Sequence, residues 1–328
     1  MKEMLRRTVL AAATMCAMAG AALAQPAAYP EPSKPLHLLV GFSPGGGTDL
    51  AARLLAERLG KELGTTIVVE NYTSGGGLEA VNRLIAAKPD GYTIALVPLP
   101  ATVMLYVDPQ RGGKFTADDI VPVAIHDFSH LAIATAADGK WQSMEQLLAA
   151  AREKPNSVTA ASSGVLALGH LGILLLNEAA GVQINWTTFE QAGQMRSALL
   201  GHHIDIESSG IGEVAPAVRS GDVRVLTVFA DERLPDFPDV PTAGELGINI
   251  TPRSTRAVVA PKGTPPEIVK KLSDAIAAIS NDPAYQQAAA ERQVSLYFLD
   301  SNDAKAFWLK NETDYRPLVA KFRSAPAK

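Results

Sequence analysis

The stretch Leu36-His-Leu-Leu-Val-Gly-Phe-Ser-Pro-Gly-Gly-Gly-Thr-Asp49 joins an apolar run to a glycine-rich turn. A continuous apolar run bounded by turn residues predicts a strand, Leu36 to Phe42, that is buried on both faces. After the turn, leucines recur at three- and four-residue spacings as far as Leu63, which predicts an amphipathic helix capped by Thr48 or Asp49. The stretch therefore predicts the strand-turn-helix start of an α/β fold.

The same alternation continues along the chain and falls into two units. In the first unit, strands are predicted at 67–70 and 92–97 and a helix at 78–87, which gives a βαβαβ order and a parallel sheet. In the second unit, strands are predicted at 131–135, 157–161, 183–187, 204–207 and 223–229, and helices from 143 and at 168–179, 195–200 and 214–219.

A proline-rich connection, 234–252, follows the second unit. A strand at 257–260, a helix capped by Thr264 and a last helix from about Ser301 then return the chain to the first sheet. We expect an α/β fold in which each unit is a mostly parallel sheet flanked by helices. The expected bounds are 30–127 for the first part of unit one, 128–250 for unit two and 251–328 for the return.

Composition excludes several classes of function. The chain has 328 residues, of which 47% are apolar and 20% are charged, so it can bury the cores of two domains. The 30 Lys and Arg residues against 34 Asp and Glu give a net charge of -4, which supplies no basic surface for nucleic acid. A single cysteine excludes a disulfide framework and a thiolate metal cluster.

Residues 1–24 have the order of a secretory signal peptide. Cations precede an apolar run that ends in Ala22-Leu-Ala24, so we expect cleavage after Ala24 and export to the periplasm. The run is too short to anchor the mature protein in a bilayer. The pair Arg6-Arg7 resembles a twin-arginine signal, but Leu5 before it favours an ordinary export signal; the choice between the two routes stays open.

The segment Gly41-Phe-Ser-Pro-Gly45 matches the GxSxG pattern of a hydrolase nucleophile between a strand and a helix. Two features argue against that chemistry. Pro44 lacks the backbone N–H that the residue after the nucleophile donates to the oxyanion. No histidine follows His203, so the late general base of such hydrolases is missing.

The glycine turn can instead bind an anion. The backbone N–H groups of Gly46, Gly47, Thr48 and Asp49 lie at the start of a helix, where the macrodipole favours a carboxylate or phosphate. The alternative is a tight turn without a ligand. Neither GxGxxG nor GK[ST] occurs at this turn, so a nucleotide cofactor is not predicted.

The polar segment His202-His203 with Asp205 and Glu207 offers metal-ligand chemistry in one short stretch. It has no HExxH spacing, and no matching ligands are recognisable elsewhere. A polar turn between a helix and a strand explains these residues better. We therefore expect neither a metal nor a cofactor.

In its motifs, the chain resembles the substrate-binding proteins of the tripartite tricarboxylate transporters, the Bug receptors. The resemblance covers nearly the whole mature chain. Its most specific motifs are Pro44-Gly-Gly-Gly-Thr-Asp49 and Pro89-Asp-Gly-Tyr-Thr93. Further matching segments are Lys34-Pro-Leu36, Val68-Val-Glu-Asn71, Ser74 to Gly77, Pro238-Asp-Val-Pro-Thr242 and Ala260-Pro-Lys-Gly-Thr-Pro265.

The resemblance implies two lobes joined by two crossing strands, with a ligand held between the lobes. It places the hinge near Asp127 to His130 and Ile250 to Ser254. Carboxylates in this family are bound largely through backbone amides, hydroxyls and waters. Carried over to this sequence, the contacts fall on Phe42, Ser43, Pro44, Gly47, Thr48 and Asp49 in the first lobe, and on Ser162, Ser163, Gly164, His170 and Ser209 in the second.

The sequence departs from the family pattern at several of these positions. Leu166, Leu168 and Phe189 stand where relatives place polar residues, and Leu99 lies in the loop after the third strand. A ligand hydroxyl placed against such side chains would lose its hydration without replacement. We therefore expect a carboxylate with an aromatic or otherwise bulky apolar body, unless these side chains only pack the core.

The resemblance implies a receptor without catalytic activity that captures this carboxylate and delivers it to a membrane permease. We expect it to act as a monomer. Two rival classes stay open: an exported enzyme acting on a carboxylate in the same cleft, and a scaffold without a small ligand.

Overall fold

A computed structural model describes residues 29–165, 167–189 and 191–324. The strands within these residues are β1 (Leu36–Val40), β2 (Ile67–Asn71), β3 (Thr93–Leu99), β4 (Ile120–Ala136), β5 (Thr159–Ser163), β6 (Asn185–Phe189), β7 (Ile206–Gly210), β8 (Val223–Phe229), β9 (Arg253–Pro261) and β10 (Ser295–Leu299). The helices are α1 (Gly47–Leu63), α2 (Leu78–Ala86), α3 (Ala101–Val107), α4 (Met144–Glu153), α5 (Leu168–Ala180), α6 (Ala192–Leu200), α7 (Ile211–Arg219), α8 (Pro266–Ser280), α9 (Pro283–Glu291) and α10 (Ser301–Ser324). The predicted signal peptide lies outside the described residues.

Strand β4 is shared by two groups of strands. Its segment 120–130 pairs antiparallel with β9, and β9 pairs antiparallel with β3, the last strand of the parallel order β2-β1-β3. Its segment 131–136 pairs antiparallel with β7 and β8, and β7 continues through β5 to β6 in parallel. We call the β2-β1-β3-β9 side the first lobe and the β7-β5-β6 side the second lobe. The change of partners between His130 and Leu131 places β4 across both lobes.

The continuous apolar run of β1 is buried on both faces, as predicted. Leu38 and Val40 share one buried cluster with α1, in which Leu55 is fully buried. Leu39 faces the opposite cluster, which includes Leu84 of α2. Because successive side chains of a strand point to opposite faces, one five-residue strand joins two helical layers. Full burial of each such leucine is worth about 1.5–3 kcal/mol.

The second lobe repeats this arrangement on β4. Leu131 and Ile133 lie in one cluster with α4 and α5, whereas Ala132 and Ala134 lie in another with α6 and α7. The alternation of the strand thus positions helices on both faces of the sheet. Each lobe has its own core, and the open ends of β5 and β7 are left facing the first lobe.

The predicted α/β, two-lobe fold class is confirmed, with a refinement of the sheet. The βαβ units pair in parallel, but every pairing of β4 and β9 is antiparallel. The predicted lobe bounds stay a prediction.

Several local predictions differ from the structure. Neither Thr48 nor Asp49 caps α1, since Gly46 is the N-cap residue and no side chain accepts there. Thr264 does not cap α8 either: its hydroxyl donates to the carbonyl of Pro261, and Pro265 takes the N-cap position. The sequence reading also lacked α3, α9 and β10.

Candidate functional site

A cavity of about 460 Å³ lies between the two lobes. One wall consists of the glycine turns of the first lobe, residues 41–43, 46–48 and 73–76, and we call it the glycine wall. The other wall consists of the ends of β5, β6 and β7 with the helices that follow them, and we call it the serine wall. Its residues in the cavity include Ser163, Gly164, Ser208 and Ser209.

The glycine wall is held by contact between two backbones. A Cβ added at Gly41 would stand 2.5 Å from the Cα of Gly77, so only glycine allows the two turns to approach this closely. At the start of α1, Gly46 and Gly47 line the cavity together with Ser43 and Thr48. Gly46 offers no side-chain cap, its own N–H donates to the carbonyl of Ser43 at 3.1 Å, and the N–H of Gly47 bonds to the carboxylate of Glu213.

Asp49 holds this turn from behind. Its carboxylate accepts hydrogen bonds from Gly45 N–H, from Arg53 Nε and from Asn71 Nδ2, each at 2.9 Å. Burial works to raise the pKa of Asp49, but these three donors outweigh it and lower the pKa. Asp49 is buried and does not line the cavity, so its structural role is to position the turn.

On the serine wall, the structure separates residues that the sequence grouped together. Ser163 and Gly164 line the cavity. Ser162 is fully buried, and its hydroxyl accepts from Trp186 Nε1 at 2.8 Å. His170 stacks on the same indole with ring centroids 3.6 Å apart. Ser162 and His170 thus support the wall without forming the cavity surface.

Apolar side chains cover part of both walls. Phe42 lies on the glycine wall, and Val165, Leu168 and Phe189 lie on the serine wall. Leu99 does not reach the cavity: it is 1% exposed and belongs to the first-lobe core, while its neighbours Pro98 and Pro100 line the cavity. Pro44 is exposed outside the cavity, and Leu166 lies outside the described residues.

Arg256 of β9 brings a buried cation to the cavity. The side chain is 5% exposed, and it forms an ion pair with Asp127, which is fully buried on β4. Asp127 also contacts His126 Nδ1 at 2.6 Å, and His126 Nε2 contacts the Tyr285 hydroxyl at 2.6 Å. Burial works to raise the pKa of Asp127, but Arg256 and His126 outweigh it and lower the pKa. Asp127 is therefore held ionised behind the cavity.

Two buried donors at the cavity lack partners. The Nε of Arg256 and the Oγ of Ser209 have no hydrogen-bond partner among the described residues. Both side chains line the cavity and are at least nine-tenths buried. A buried donor left unpaired costs about 1–3 kcal/mol. An acceptor entering the cavity beside them would remove that cost.

Glu213 of α7 is the acidic side chain among the cavity-lining residues. Its Oε1 lies between the lobes: a Cβ added at Gly47 would stand 2.8 Å from it, and one at Gly210 would stand 3.3 Å from it. Burial raises the pKa of Glu213, although Arg256, Arg196 and the N–H groups of Gly210 and Gly47 oppose the shift.

Arg196 of α6 is already paired beside Glu213. Its guanidinium forms two hydrogen bonds to the buried Glu207, at 2.6 and 3.1 Å, and also contacts the backbone carbonyl of Glu213 at 3.4 Å. Burial nevertheless raises the pKa of Glu207 to about 7. The serine wall therefore rests on a layer of buried charge.

Sequence reasoning missed Arg256, Glu213 and also Arg111, which lines the cavity beside Gly76. One signal for Arg256 was available. It directly precedes the apolar run 257–260 in the sequence, and a charged residue extending a buried strand indicates a buried partner. Glu213 carried no such signal, because its position depends on which elements meet across the cavity.

In the structure, Asp205 and Glu207 of the polar segment 202–207 form contacts within the second lobe. Asp205 accepts from the backbone N–H and the hydroxyl of Thr159, both at 2.8 Å, and Glu207 pairs with Arg196. In the described part of the chain, no group of three or more His, Cys, Asp or Glu residues is placed to hold a metal ion. None of the helices described there combines the length and apolar character needed to cross a bilayer.

Comparison with known proteins agrees with this architecture. Residues 51–322 match the family model described as tripartite tricarboxylate transporter family receptor. The chain is 31% identical over 331 residues to a UPF0065 protein from the gbd 5' region of Cupriavidus necator, covering 99% of both chains. It is 32% identical over 245 residues to BugT of Bordetella pertussis, covering 74% of this chain and 75% of BugT.

A crystal structure of a TctC solute-binding protein from Polaromonas superposes with a TM-score of 0.66 at 30% identity. The match covers 89% of this chain and 99% of that one. The predicted resemblance is confirmed, and the chain belongs to the tripartite tricarboxylate transporter receptor family.

Proposed function

We propose that this protein is a periplasmic solute-binding receptor that captures a carboxylate with a bulky apolar body between its lobes. The observation that carries the proposal is the pair of unpartnered donors, Arg256 Nε and Ser209 Oγ, at the interlobe cavity. A carboxylate offers several lone pairs and matches such donors. Hydrogen bonds to a charged acceptor are also stronger than neutral ones.

The remaining polar groups of the cavity suit the same ligand end. Thr48, Ser43 and Ser163 add hydroxyls. Arg111 adds a second cation. The proposed ligand-binding residues are therefore Phe42, Ser43, Gly46, Gly47, Thr48, Ser163, Gly164, Phe189 and Ser209 from the sequence, with Arg111 and Arg256 added from the structure.

The apolar part of the cavity supports the bulky body. Phe42, Leu168 and Phe189 line it, together with Val165 and two prolines. Burial of apolar ligand surface there contributes about 25 cal/mol per Å². A ligand with hydroxyls along its length would bury them against these side chains. This support is independent of Leu99, which packs the core.

We further propose that the receptor is a monomer in the periplasm, that its signal peptide is removed after Ala24, and that it delivers its ligand to a permease. The rival interpretation is an exported enzyme that uses the same cleft. Ser43 lies on the glycine wall but is followed by Pro44, so the N–H expected at an oxyanion hole is missing.

A thermal-shift screen of aromatic and aliphatic carboxylates tests the proposal. A ligand at a hundredfold excess over its Kd stabilises the native state by about 2.7 kcal/mol, which corresponds to a rise in Tm of about 5 °C. We expect such a rise with bulky monocarboxylates or dicarboxylates. No rise with any acid would contradict the proposal. Conversion of a bound ester or acid at about 1 per second or faster would favour the enzyme.

Closure of the lobes is a second expected property. Strands β4 and β9 cross between the lobes near 127–130 and 253–254, where a hinge would act. We expect the radius of gyration from solution scattering to fall when a bound acid is added. An unchanged radius with a ligand that raises the Tm would rule out hinge closure while leaving binding intact.

A further inference from the structure

We propose that Glu213 makes the cavity selective against a second carboxylate and in favour of a ligand that brings a hydrogen-bond donor to the start of α1. This inference rests on the proposed function. It narrows the expected ligand from any bulky carboxylate to a monocarboxylate that carries an amide, amine or hydroxyl donor at its other end.

The first step is the position of the carboxylate. Glu213 Oε1 lies within van der Waals reach of a Cβ on either Gly47 or Gly210, one glycine from each lobe. The N–H groups of both glycines bond to this carboxylate, which opposes the rise in its pKa that burial causes without cancelling it. The carboxylate of Glu213 thus lies beside the N–H of Gly47, which the sequence predicted to bind the ligand.

The second step is the electrostatic surroundings of Glu213. The two guanidinium groups near it, Arg256 and Arg196, form their ion pairs with Asp127 and Glu207. Glu213 itself has no ion-pair partner within 4 Å among the described residues. A second ligand carboxylate at the start of α1 would therefore meet a carboxylate and two already neutralised arginines. Burial already raises the pKa of Glu213, and a second carboxylate beside it would raise that pKa further, so the diacid would bind only with uptake of a proton, which becomes less favourable as the pH rises.

The third step is what the cavity leaves unsatisfied. Arg256 Nε and Ser209 Oγ are donors, so they require an acceptor, and the single ligand carboxylate meets that requirement. Glu213 accepts from the N–H groups of Gly47 and Gly210, and the lone pairs that its carboxylate keeps can be approached only by a donor. Groups of both kinds in one cavity select a ligand with an acceptor end and a donor end. Specificity of this kind comes from leaving the wrong ligand's polar groups unpaired.

Matched pairs of acids test the inference by calorimetry at pH 8. The first pair is terephthalate and 4-carbamoylbenzoate, which have the same shape and differ in one carboxylate replaced by an amide. The second pair is adipate and its monoamide, which repeats the comparison without an aromatic ring. For the wild type, we expect the monoamide to bind at least tenfold more tightly than the diacid in whichever pair binds.

The variant Glu213→Gln keeps the shape and removes the charge. We expect it to raise the affinity for the diacid at least tenfold and to abolish the preference for the monoamide. The control Glu153→Gln removes an exposed carboxylate of α4, and we expect an unchanged ratio. Thermal unfolding of each variant checks that it is folded, and Glu213→Ala replaces Glu213→Gln if the latter is not.

A diacid that binds the wild type as tightly as its monoamide overturns this inference, as does a ratio that Glu213→Gln leaves unchanged. Binding of neither pair, with other acids of the screen bound, also overturns the inference but not the proposed function. No binding by any acid overturns both.

Discussion

The two walls of the cavity expose different chemical groups. The glycine wall presents backbone and hydroxyl groups, and its one buried carboxylate, Asp49, faces away from the cavity. The serine wall presents side chains, including Glu213, over a layer of buried ion pairs. Backbone amides serve any anion, whereas buried side chains distinguish one ligand from another. General affinity for anions and specificity for one ligand therefore lie on opposite sides of this cleft.

We expect the largest effect from a substitution of Arg256, which lies on β9 at the cavity. We expect Arg256→Gln to lower the free energy of unfolding by about 3–5 kcal/mol, because Asp127 would lose its buried partner. Urea denaturation measures this. The control Arg253→Gln changes an exposed residue of the same strand, and we expect less than about 0.5 kcal/mol. Equal effects of the two changes would refute the buried pair.

Stability should depend on pH through Glu207, a buried carboxyl group behind the serine wall. Because the pKa of Glu207 is raised to about 7, the native state binds its proton more tightly than the unfolded state, and stability falls as pH rises from about 4.5 to 7. Glu207→Gln removes this contribution. We expect the stability of the wild type relative to Glu207→Gln to fall by on the order of 2 kcal/mol between pH 5 and pH 8. A constant difference would show that Arg196 holds Glu207 ionised throughout.

A change at the contact between the walls should affect both binding and folding. In Gly47→Ala, the new methyl would stand 2.8 Å from both Arg256 Nη2 and Glu213 Oε1. Arg256 is held in its buried ion pair with Asp127, so we expect a loss of stability of about 1–3 kcal/mol and about a tenfold loss of carboxylate affinity. Gly193→Ala, at a helical glycine with open space around it, is the control and should leave affinity unchanged.

We expect the smallest effects from single substitutions on each wall, which should change ligand affinity in different ways. We expect Thr48→Ala to weaken every bound carboxylate about fivefold, because the hydroxyl lies on the wall that serves the anion. We expect Phe189→Ala to weaken bulky acids about tenfold and small acids little, because it removes apolar surface only. Calorimetry with one small and one bulky acid measures both. Equal losses for both acids in both variants would remove the distinction between the walls.

The same contrast explains what could be predicted from the sequence. The glycine wall follows from local signals: an apolar run, a glycine turn and a periodic helix lie consecutively in the chain. By contrast, α3 is a seven-residue apolar run, which periodicity cannot assign to a helix or a strand. The full length of β4 was missed because His126 and Asp127 interrupt its apolar pattern, and their pairing with Tyr285 and Arg256 is visible only in three dimensions.

The candidate site divides in the same way. The predicted residues Gly46, Gly47 and Thr48 line the cavity, since their chemistry lies in the backbone of one turn. Leu99 was misplaced because alternation along β3 sets which neighbour faces the cavity, and the register was unknown. Glu213 and Arg256 approach Gly47 from separate elements, α7 and β9, so no spacing in the sequence connects them.

Calorimetric titration of the acid that gives the largest thermal shift, compared with its methyl ester, tests whether this protein recognises a carboxylate. The ester keeps the apolar body and loses the negative charge that the donors at the cavity require. The account predicts saturable one-to-one binding of the acid and binding of the ester at least about 100-fold weaker, a difference of about 2.7 kcal/mol. Equal affinity for acid and ester would contradict a carboxylate receptor.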